Sequence, residues 1–332
     1  MTVLVTGAAG FLGSHVVELL VANGQRTRAL VRPGTDPTGL ASAGVEVHTC
    51  DLGNGAVFGE ALRDVDCVLH CAARTGPWGR DDVYQRVNVG GLEALVRAAL
   101  AAGARRFVHV SSITVHGNDV RGEADEDAPL RVEPNPYSRS KVAAERLLAR
   151  MIRDEGAPVT IVRPGWIYGP RDGSSFGRLA ERVESGRMIT LGRGANQLPL
   201  VYVRDVAVGM LLAAESPQAE GRSYLLVNDE PVTQRHFIST VAQELGAPAP
   251  RRRVPYELAL MLGALAEAKG RLARSAEPPP VTRYGVQLLG GENRFVIDRA
   301  RRELGYSPRV GVAEGVHRSV EWYRASTNGG PR

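Results

Sequence analysis

The segment Thr6-Gly7-Ala8-Ala9-Gly10-Phe11-Leu12-Gly13 constrains this chain more than any other. It stands between an apolar run, Val3-Leu4-Val5, and a stretch with apolar residues at Phe11, Leu12, Val16, Leu19 and Leu20. The first reads as a strand and the second as a helix over residues 11–22. Three glycines in the turn let it close tightly, let backbone approach a phosphate, and let helix pack on strand, because none carries a Cβ. The helix start offers unpaired N–H groups and the positive end of its dipole, a seat for a pyrophosphate. Gly7, Gly10, Phe11, Leu12 and Gly13 are therefore candidate dinucleotide contacts. A glycine triplet alone also fits an ordinary βα turn; the flanking strand and helix favour the nucleotide.

The same alternation continues. Strands are expected at residues 3–6, 27–31, 45–49, 67–70, 107–110 and 160–163, with helices between them, notably 82–102 and 137–155. Alternating βα units predict an α/β fold: a Rossmann-type doubly wound parallel sheet whose ligands sit at the carboxyl ends of the strands. After Pro170 the elements become shorter and mixed, which predicts a smaller C-terminal α/β substrate lobe. The expected division is 1–170 for the dinucleotide and 171–325 mainly for the substrate, with 195–230 returning to the first unit. Within that return, 201–208 and 224–227 are expected to rejoin the main sheet. Residues 118–135 are acidic, proline-bearing and aperiodic, a loop bordering the substrate, and 326–332 read as a tail.

A second motif, Tyr137-Ser138-Arg139-Ser140-Lys141, carries proton chemistry. Residues four apart share a helix face. A free phenol titrates near pH ~10. A neighbouring ammonium, with a positive nicotinamide ring, favours the phenolate and brings it toward use as a general acid or base. Ser112, at the end of the 107–110 strand, is placed to hydrogen-bond a substrate oxygen. Read alone, the Tyr–Lys pair also fits a surface helix; Ser112 and the opening turn favour catalysis.

The TGxxGxxG turn followed by YxxxK resembles the extended branch of the short-chain dehydrogenase/reductase superfamily. The resemblance covers nearly the whole chain, through His70-Cys71-Ala72-Ala73, Asn88-Val89-Gly90-Gly91, Val110-Ser111-Ser112, Arg163-Pro164-Gly165 and Tyr168-Gly169-Pro170. It implies that Ser112, rather than Ser111, is catalytic with Tyr137 and Lys141, and that Lys141 also binds the nicotinamide ribose. It implies cofactor contacts at Asp51, Leu52, Ala72, Ala73, Asn88 and Pro164 as well. Arg32, ending the second strand, suits the 2′-phosphate of NADP, with Arg28 as a second basic contact. Asp36 keeps NAD open as an alternative.

Two substrate classes are separated locally. Nucleotide-sugar epimerases of this superfamily carry a phosphate-binding arginine where this chain has Leu198. His70-Cys71-Ala72-Ala73 with Gly76-Pro77-Trp78-Gly79, Val254-Pro255-Tyr256 and Pro278–Gly285 resemble instead the 3β-hydroxysteroid dehydrogenase-like group. That resemblance implies an apolar, sterol-like, polyketide-like or 3-keto acid substrate bearing a ketone or secondary alcohol. Trp78, Trp166, Tyr168 and the helix from Tyr256 to Leu265 are candidate pocket residues, each equally explained as core. An NAD-dependent epimerase or dehydratase, with Arg187, Arg193 or Arg294 replacing the missing arginine, is the alternative. A non-enzymatic NADP sensor is a minor one.

The net charge of +5 comes without a basic stripe alternating with aromatics, so nucleic acid is not expected as a partner. Cys50, Cys67 and Cys71 suit a reducing compartment, and no signal segment precedes the first strand, so a cytoplasmic protein is expected. No apolar run reaches bilayer length, so stable membrane insertion is not expected, and no metal site is. A homodimer is expected through helices 82–102 and 137–155, with Leu92, Leu95, Ala98 and Ala99 either at that interface or facing the sheet.

Overall fold

A computed structural model of the chain describes residues 1–55 and 57–327. Its centre is one parallel sheet of seven strands: β1 (Thr2–Thr6), β2 (Arg26–Val31), β3 (Glu46–Thr49), β4 (Cys67–His70), β5 (Arg106–Val110), β6 (Val159–Pro164) and β7 (Ser223–Leu226). Their spatial order is β7-β6-β5-β4-β1-β2-β3. The chain winds outward from β1 to β3, then returns to lay β4 on the other side of β1, with Thr6 opposite His70. The crevice between the ends of β1 and β4 is where such a sheet takes its ligand.

Side-chain alternation builds the two faces. Val3 and Val5 join a core with Leu12, Val16 and Leu20 of helix α1 (Phe11–Ala22). Leu4 points to the other core, with Leu92 and Leu95 of α2 (Gly91–Ala101) and Leu148 and Met151 of α3 (Pro136–Glu155). Leu92, Leu95 and Ala99 are thus used inside the chain, and Ala98 packs against the same cluster. Of the two placements open to these residues, they take the one facing the sheet.

Two segments depart from expectation. In place of one helix over 82–102 there are a helix Asp81–Gln85, a π turn Arg86–Gly90 and α2, and Asn88 on the wider turn is buried. Residues 201–208 do not enter the main sheet. Leu200–Tyr202 pairs with Trp166–Tyr168 in a separate two-stranded sheet, and Val203–Glu215 is helix α4. Val203, Val206, Ala207 and Met210 recur at helical spacing and are buried against the sheet. Residues 224–227 do return, as β7 beside β6.

A third core lies beyond the sheet, where helices Phe176–Glu184, Gln234–Leu245 and Val312–Thr327 gather Phe176, Leu198, Phe237 and Val316 around Tyr168. Of the tail read from sequence, residues 326–327 close the last helix and 328–332 lie outside the described residues. Among the described residues, no helix is long and apolar enough to cross a membrane.

Candidate active site

The opening turn has the shape its glycines require. Gly7 adopts φ +64°, and a Cβ on Gly13 would overlap the Gly7 carbonyl oxygen. Gly10 starts α1 in extended conformation with no side-chain cap, and no acidic residue lies in the first turn. The first N–H groups of the helix, at Phe11 and Leu12, therefore face the crevice side without a competing side-chain acceptor. These residues fit a dinucleotide pyrophosphate.

Thr6 ties this turn to the loop after β4. Its Oγ1 lies 2.7 Å from His70 Nδ1 and accepts the Ala72 N–H at 3.1 Å. Burial, and then Lys141, push His70 down to about 3, so the ring that shares a hydrogen bond with Thr6 is neutral. Half-buried Ala72 and Ala73 are thereby held beside Gly7.

Arg32, Pro33, Gly34, Thr35 and Asp51 line a cleft of about 340 Å³ at the end of β2. Arg32 is exposed there and, among the described residues, pairs with no carboxylate. The Asp36 carboxylate instead turns to its own chain, accepting from Thr38 N at 2.9 Å and Thr38 Oγ1 at 2.6 Å. Arg28 is not a cofactor contact. It is buried, its Nη1 donates to the carbonyls of Glu60, Ala61 and Arg63, and its Nε lies 3.1 Å from Glu46. Leu52 follows Asp51, half-buried against the core that contains α2.

Ser112, Tyr137 and Lys141 come together at the end of β5. Ser112 is extended and caps the turn Ile113–His116, accepting from Thr114 N. Asn135 caps α3 through Ser138 N, and Pro136 fills the first helical position, where its missing N–H costs nothing. Tyr137 and Lys141 then lie one turn apart, with Lys141 Nζ 5.9 Å from the Tyr137 ring centroid. Nζ donates to Val110 O at 2.7 Å, tying α3 to β5.

Without a nicotinamide ring beside it, the chain's own groups act on Tyr137 in the opposite sense. Tyr137 is pushed up, not down: burial raises it, the neighbouring Tyr284 adds to that, and a hydrogen bond with Ser112 opposes it. Burial also draws Lys141 from 10.5 down to about 8, with Glu145 resisting. Both shifts have one cause, the cost of a charge away from water. Of the chain's own groups, none drives Tyr137 toward phenolate as far as burial drives it toward phenol.

Asn88 is buried and fully engaged. Its Oδ1 accepts from Arg74 N, and its Nδ2 donates to Arg74 O and Ser140 Oγ. It braces the Ala72–Ala73 loop against α3, so its side chain acts on the site through its neighbours. Pro164 ends β6 opposite Leu226 and is buried.

Sequence reasoning missed the network beneath this site. Glu145 accepts from Ser111 Oγ at 2.5 Å and from Arg163 Nη2 at 2.6 Å. Arg163 Nη1 donates to Glu126 O, so one guanidinium joins α3, β6 and the 118–135 loop. Arg163 sits in a quoted motif, and Glu145 lies one helical turn after Lys141; that spacing was the available signal. Tyr84 was also missed: its hydroxyl reaches the carbonyls of Thr75, Gly76 and Trp78 and shapes the loop after β4.

The candidate pocket residues separate. Trp78 is half-buried, its indole N–H donates to Ser275 O, and Arg271 lies over its ring at 5.9 Å. It joins the β4 loop to helix α5 (Tyr256–Leu272). Trp166 donates to Ser175 Oγ and meets Phe237 edge-on, at the border of the third core. Tyr168 is fully buried among Phe176, Tyr202 and Phe237 and is core, not pocket. On α5, Leu258, Met261, Leu262 and Leu265 are exposed, while Ala259, Gly263 and Glu267 face inward. Tyr284, on α6 (Arg283–Gly290), meets Tyr137 edge to face at 6.4 Å and was not anticipated as a site residue.

Residues 3–226 match the NAD dependent epimerase/dehydratase family. The chain is similar to a 2-alkyl-3-oxoalkanoate reductase of Stenotrophomonas maltophilia, 32% identical over 96% of this chain and 98% of that protein. It is similar to the crystal structure of gox2253, 30% identical over 100% of this chain and 99% of that one, with a TM-score of 0.82. UDP-glucuronic acid 4-epimerase from Bacillus cereus in complex with NAD shares the fold, at TM-score 0.78, 23% identity and coverage of 98% and 99%.

Proposed function

Because the chain belongs to the NAD dependent epimerase/dehydratase family, we propose that it is an NADP-dependent oxidoreductase interconverting a ketone and a secondary alcohol on an apolar small molecule. The observation that carries this reading is the convergence of Ser112, Tyr137 and Lys141 beside the glycine turn. Gly7, Gly10 and Gly13 with the start of α1 would hold the pyrophosphate, and Arg32 the 2′-phosphate. When bound, the nicotinamide supplies or accepts the hydride.

The chain's own groups handle the proton and the orientation. Tyr137, held as a phenol by burial, is a proton donor ready for a carbonyl oxygen, which suits reduction. Ser112 hydrogen-bonds the same oxygen. Lys141, in its protonated form, holds the ribose hydroxyls while Val110 O fixes its ammonium. Asn88 and the Thr6–His70 pair keep the Ala72–Ala73 loop in place around the cofactor.

The relative named for 2-alkyl-3-oxoalkanoates supports a 3-keto acid, among the sterol-like and polyketide-like alternatives. The fold shared with a UDP-glucuronic acid epimerase keeps a nucleotide-sugar reading as the second one. Against it, Leu198 is buried in the third core, and Arg187 and Arg294 are paired with Glu181 and Glu123, while Arg193 has no carboxylate partner among the described residues. In this reading residues 1–170 with part of 195–230 serve the cofactor, 171–325 serve the substrate, and the protein acts in the cytoplasm as a homodimer.

Fluorescence titration of the purified protein with NADPH and NADH, after checking it for bound nucleotide, tests this. Empty protein preferring NADPH is the expected result. Protein arriving with NAD(H), or preferring NADH, contradicts it in favour of the epimerase reading.

A further inference from the structure

Two features lie beside the catalytic pair of Ser112 and Tyr137. The first is a line of neutral polar groups. Ser112 Oγ donates to Thr114 Oγ1 at 3.1 Å, and Thr114 Oγ1 donates to Asn118 Oδ1 at 3.3 Å. Asn118 is fully buried, and its Nδ2 has no hydrogen-bond partner. Buried donors are nearly always satisfied, so this cluster carries one more donor than the chain itself answers.

The second is Tyr284. Its ring stands at 89° to that of Tyr137, 6.4 Å between centroids, beside the residue whose partner in the site is Ser112. Its position is built. Thr282 caps α6 through Gly285 N at 3.1 Å. Arg283 is clamped to inward-facing Glu267 of α5 through its own N–H at 2.7 Å and its guanidinium at 2.8 and 3.0 Å. The clamp leaves Tyr284 little freedom.

We infer that Thr114 and Tyr284, with Asn118 behind them, form a subsite for a second oxygen of the substrate, carried two carbons from the reacting one. The inference rests on the oxidoreductase reading and narrows its substrate to 3-oxo acids and their 3-hydroxy counterparts. Ser112 and Thr114 are spaced by one hydrogen-bond length, about the separation of two oxygens in a 1,3-relationship. One oxygen meets Ser112 and Tyr137; the other meets Thr114 and Tyr284. The subsite's groups are all neutral, and an entering carboxylate or ester oxygen takes the Thr114 proton now given to Asn118 and the proton of the Tyr284 hydroxyl. A site built to hydrogen-bond a group rejects the analogue lacking it far more strongly than an apolar pocket does.

The test is oxidation by NADP⁺ of two stable compounds, a long-chain 3-hydroxy acid and the matching secondary alcohol without the carboxyl. The readout is the ratio of their kcat/KM values, in the wild type and in Tyr284→Phe, Thr114→Val and Thr114→Ser. Tyr284→Phe keeps the ring and its packing on Tyr137. The expected result is a wild-type preference for the hydroxy acid that falls roughly tenfold or more in Tyr284→Phe and Thr114→Val and is largely kept in Thr114→Ser. An unchanged ratio, whether rates fall together or not at all, overturns the subsite while the oxidoreductase reading stands. A wild type that oxidises neither compound, with either nicotinamide cofactor, overturns both.

Discussion

Arg163 grips Glu145 with two nitrogens, Nε at 3.0 Å from Oε1 and Nη2 at 2.6 Å from Oε2, directly beneath the helix turn that carries Lys141. Both side chains are almost fully buried. The pair fastens α3 to β6, and Ser111 adds β5 through the same carboxylate. The position of Tyr137 and Lys141 over the end of β5 therefore depends on a charge pair buried beneath them.

Removing one partner leaves the other charge buried alone. Glu145→Ala is expected to cost about 3–5 kcal/mol of stability. Urea denaturation monitored by circular dichroism checks this. A loss near that of a surface substitution would show that the network is solvated.

The glycine turn gives a second prediction. Gly13→Ala places a methyl against the Gly7 carbonyl, which is backbone and cannot swing away. Overpacking of this kind costs about 1–3 kcal/mol. Since the Gly7 carbonyl accepts from Gly10 N and so holds the turn that presents the helix N–H groups to the pyrophosphate, NADPH binding is expected to weaken more than stability does. Fluorescence titration beside a thermal melt separates the two effects.

Arg32 and Arg28 are expected to behave oppositely. Arg32→Glu exchanges an exposed guanidinium for a repelling carboxylate, and NADPH affinity should fall by about 1.5–3 kcal/mol, the range for a charged hydrogen bond. NADH affinity should change little. Arg28→Ala leaves three carbonyls and Glu46 without their partner, so stability falls while the NADPH-to-NADH preference holds.

Lys141 predicts a pH dependence of stability. Its value is lowered from 10.5 in the free side chain to about 8 in the fold. Between those values the unfolded chain binds more protons than the folded one, so stability rises with pH there; below about 8 the burial penalty is constant. Relative to Lys141→Met, the wild type should gain stability on the order of 3 kcal/mol as pH rises across that window. Denaturation of both proteins at pH 7, 8.5 and 10 measures it. A constant difference between them would place the Lys141 ammonium in water.

What the sequence disclosed is local. The strand, turn and helix around Gly7–Gly13 were legible because their spacing fixes backbone shape, and the Tyr137–Lys141 pair because four residues make one helical turn. Longer-range relations were not. Nothing near Tyr284 in the chain signals Tyr137, since α5 and its Glu267 bring the two rings together. Alternation along β2 could not say that the face bearing Arg28 meets the carbonyls of residues 60–63. The run Val201–Val206 is apolar enough for strand or helix, and periodicity does not separate them over so few residues. Tyr168 stands in a recognised motif yet packs inward, because its neighbours Phe176 and Phe237 come from elements that the motif does not include.

The central claim is that Tyr137 delivers the proton in an NADPH-dependent reduction. Turnover of a hydrophobic 3-oxo substrate by Tyr137→Phe, measured with its NADPH affinity, tests it most directly. The expected result is an unchanged affinity and a rate lowered roughly 10²–10⁴-fold, the share of a general acid. A variant that binds NADPH and still turns over near the wild-type rate would contradict it.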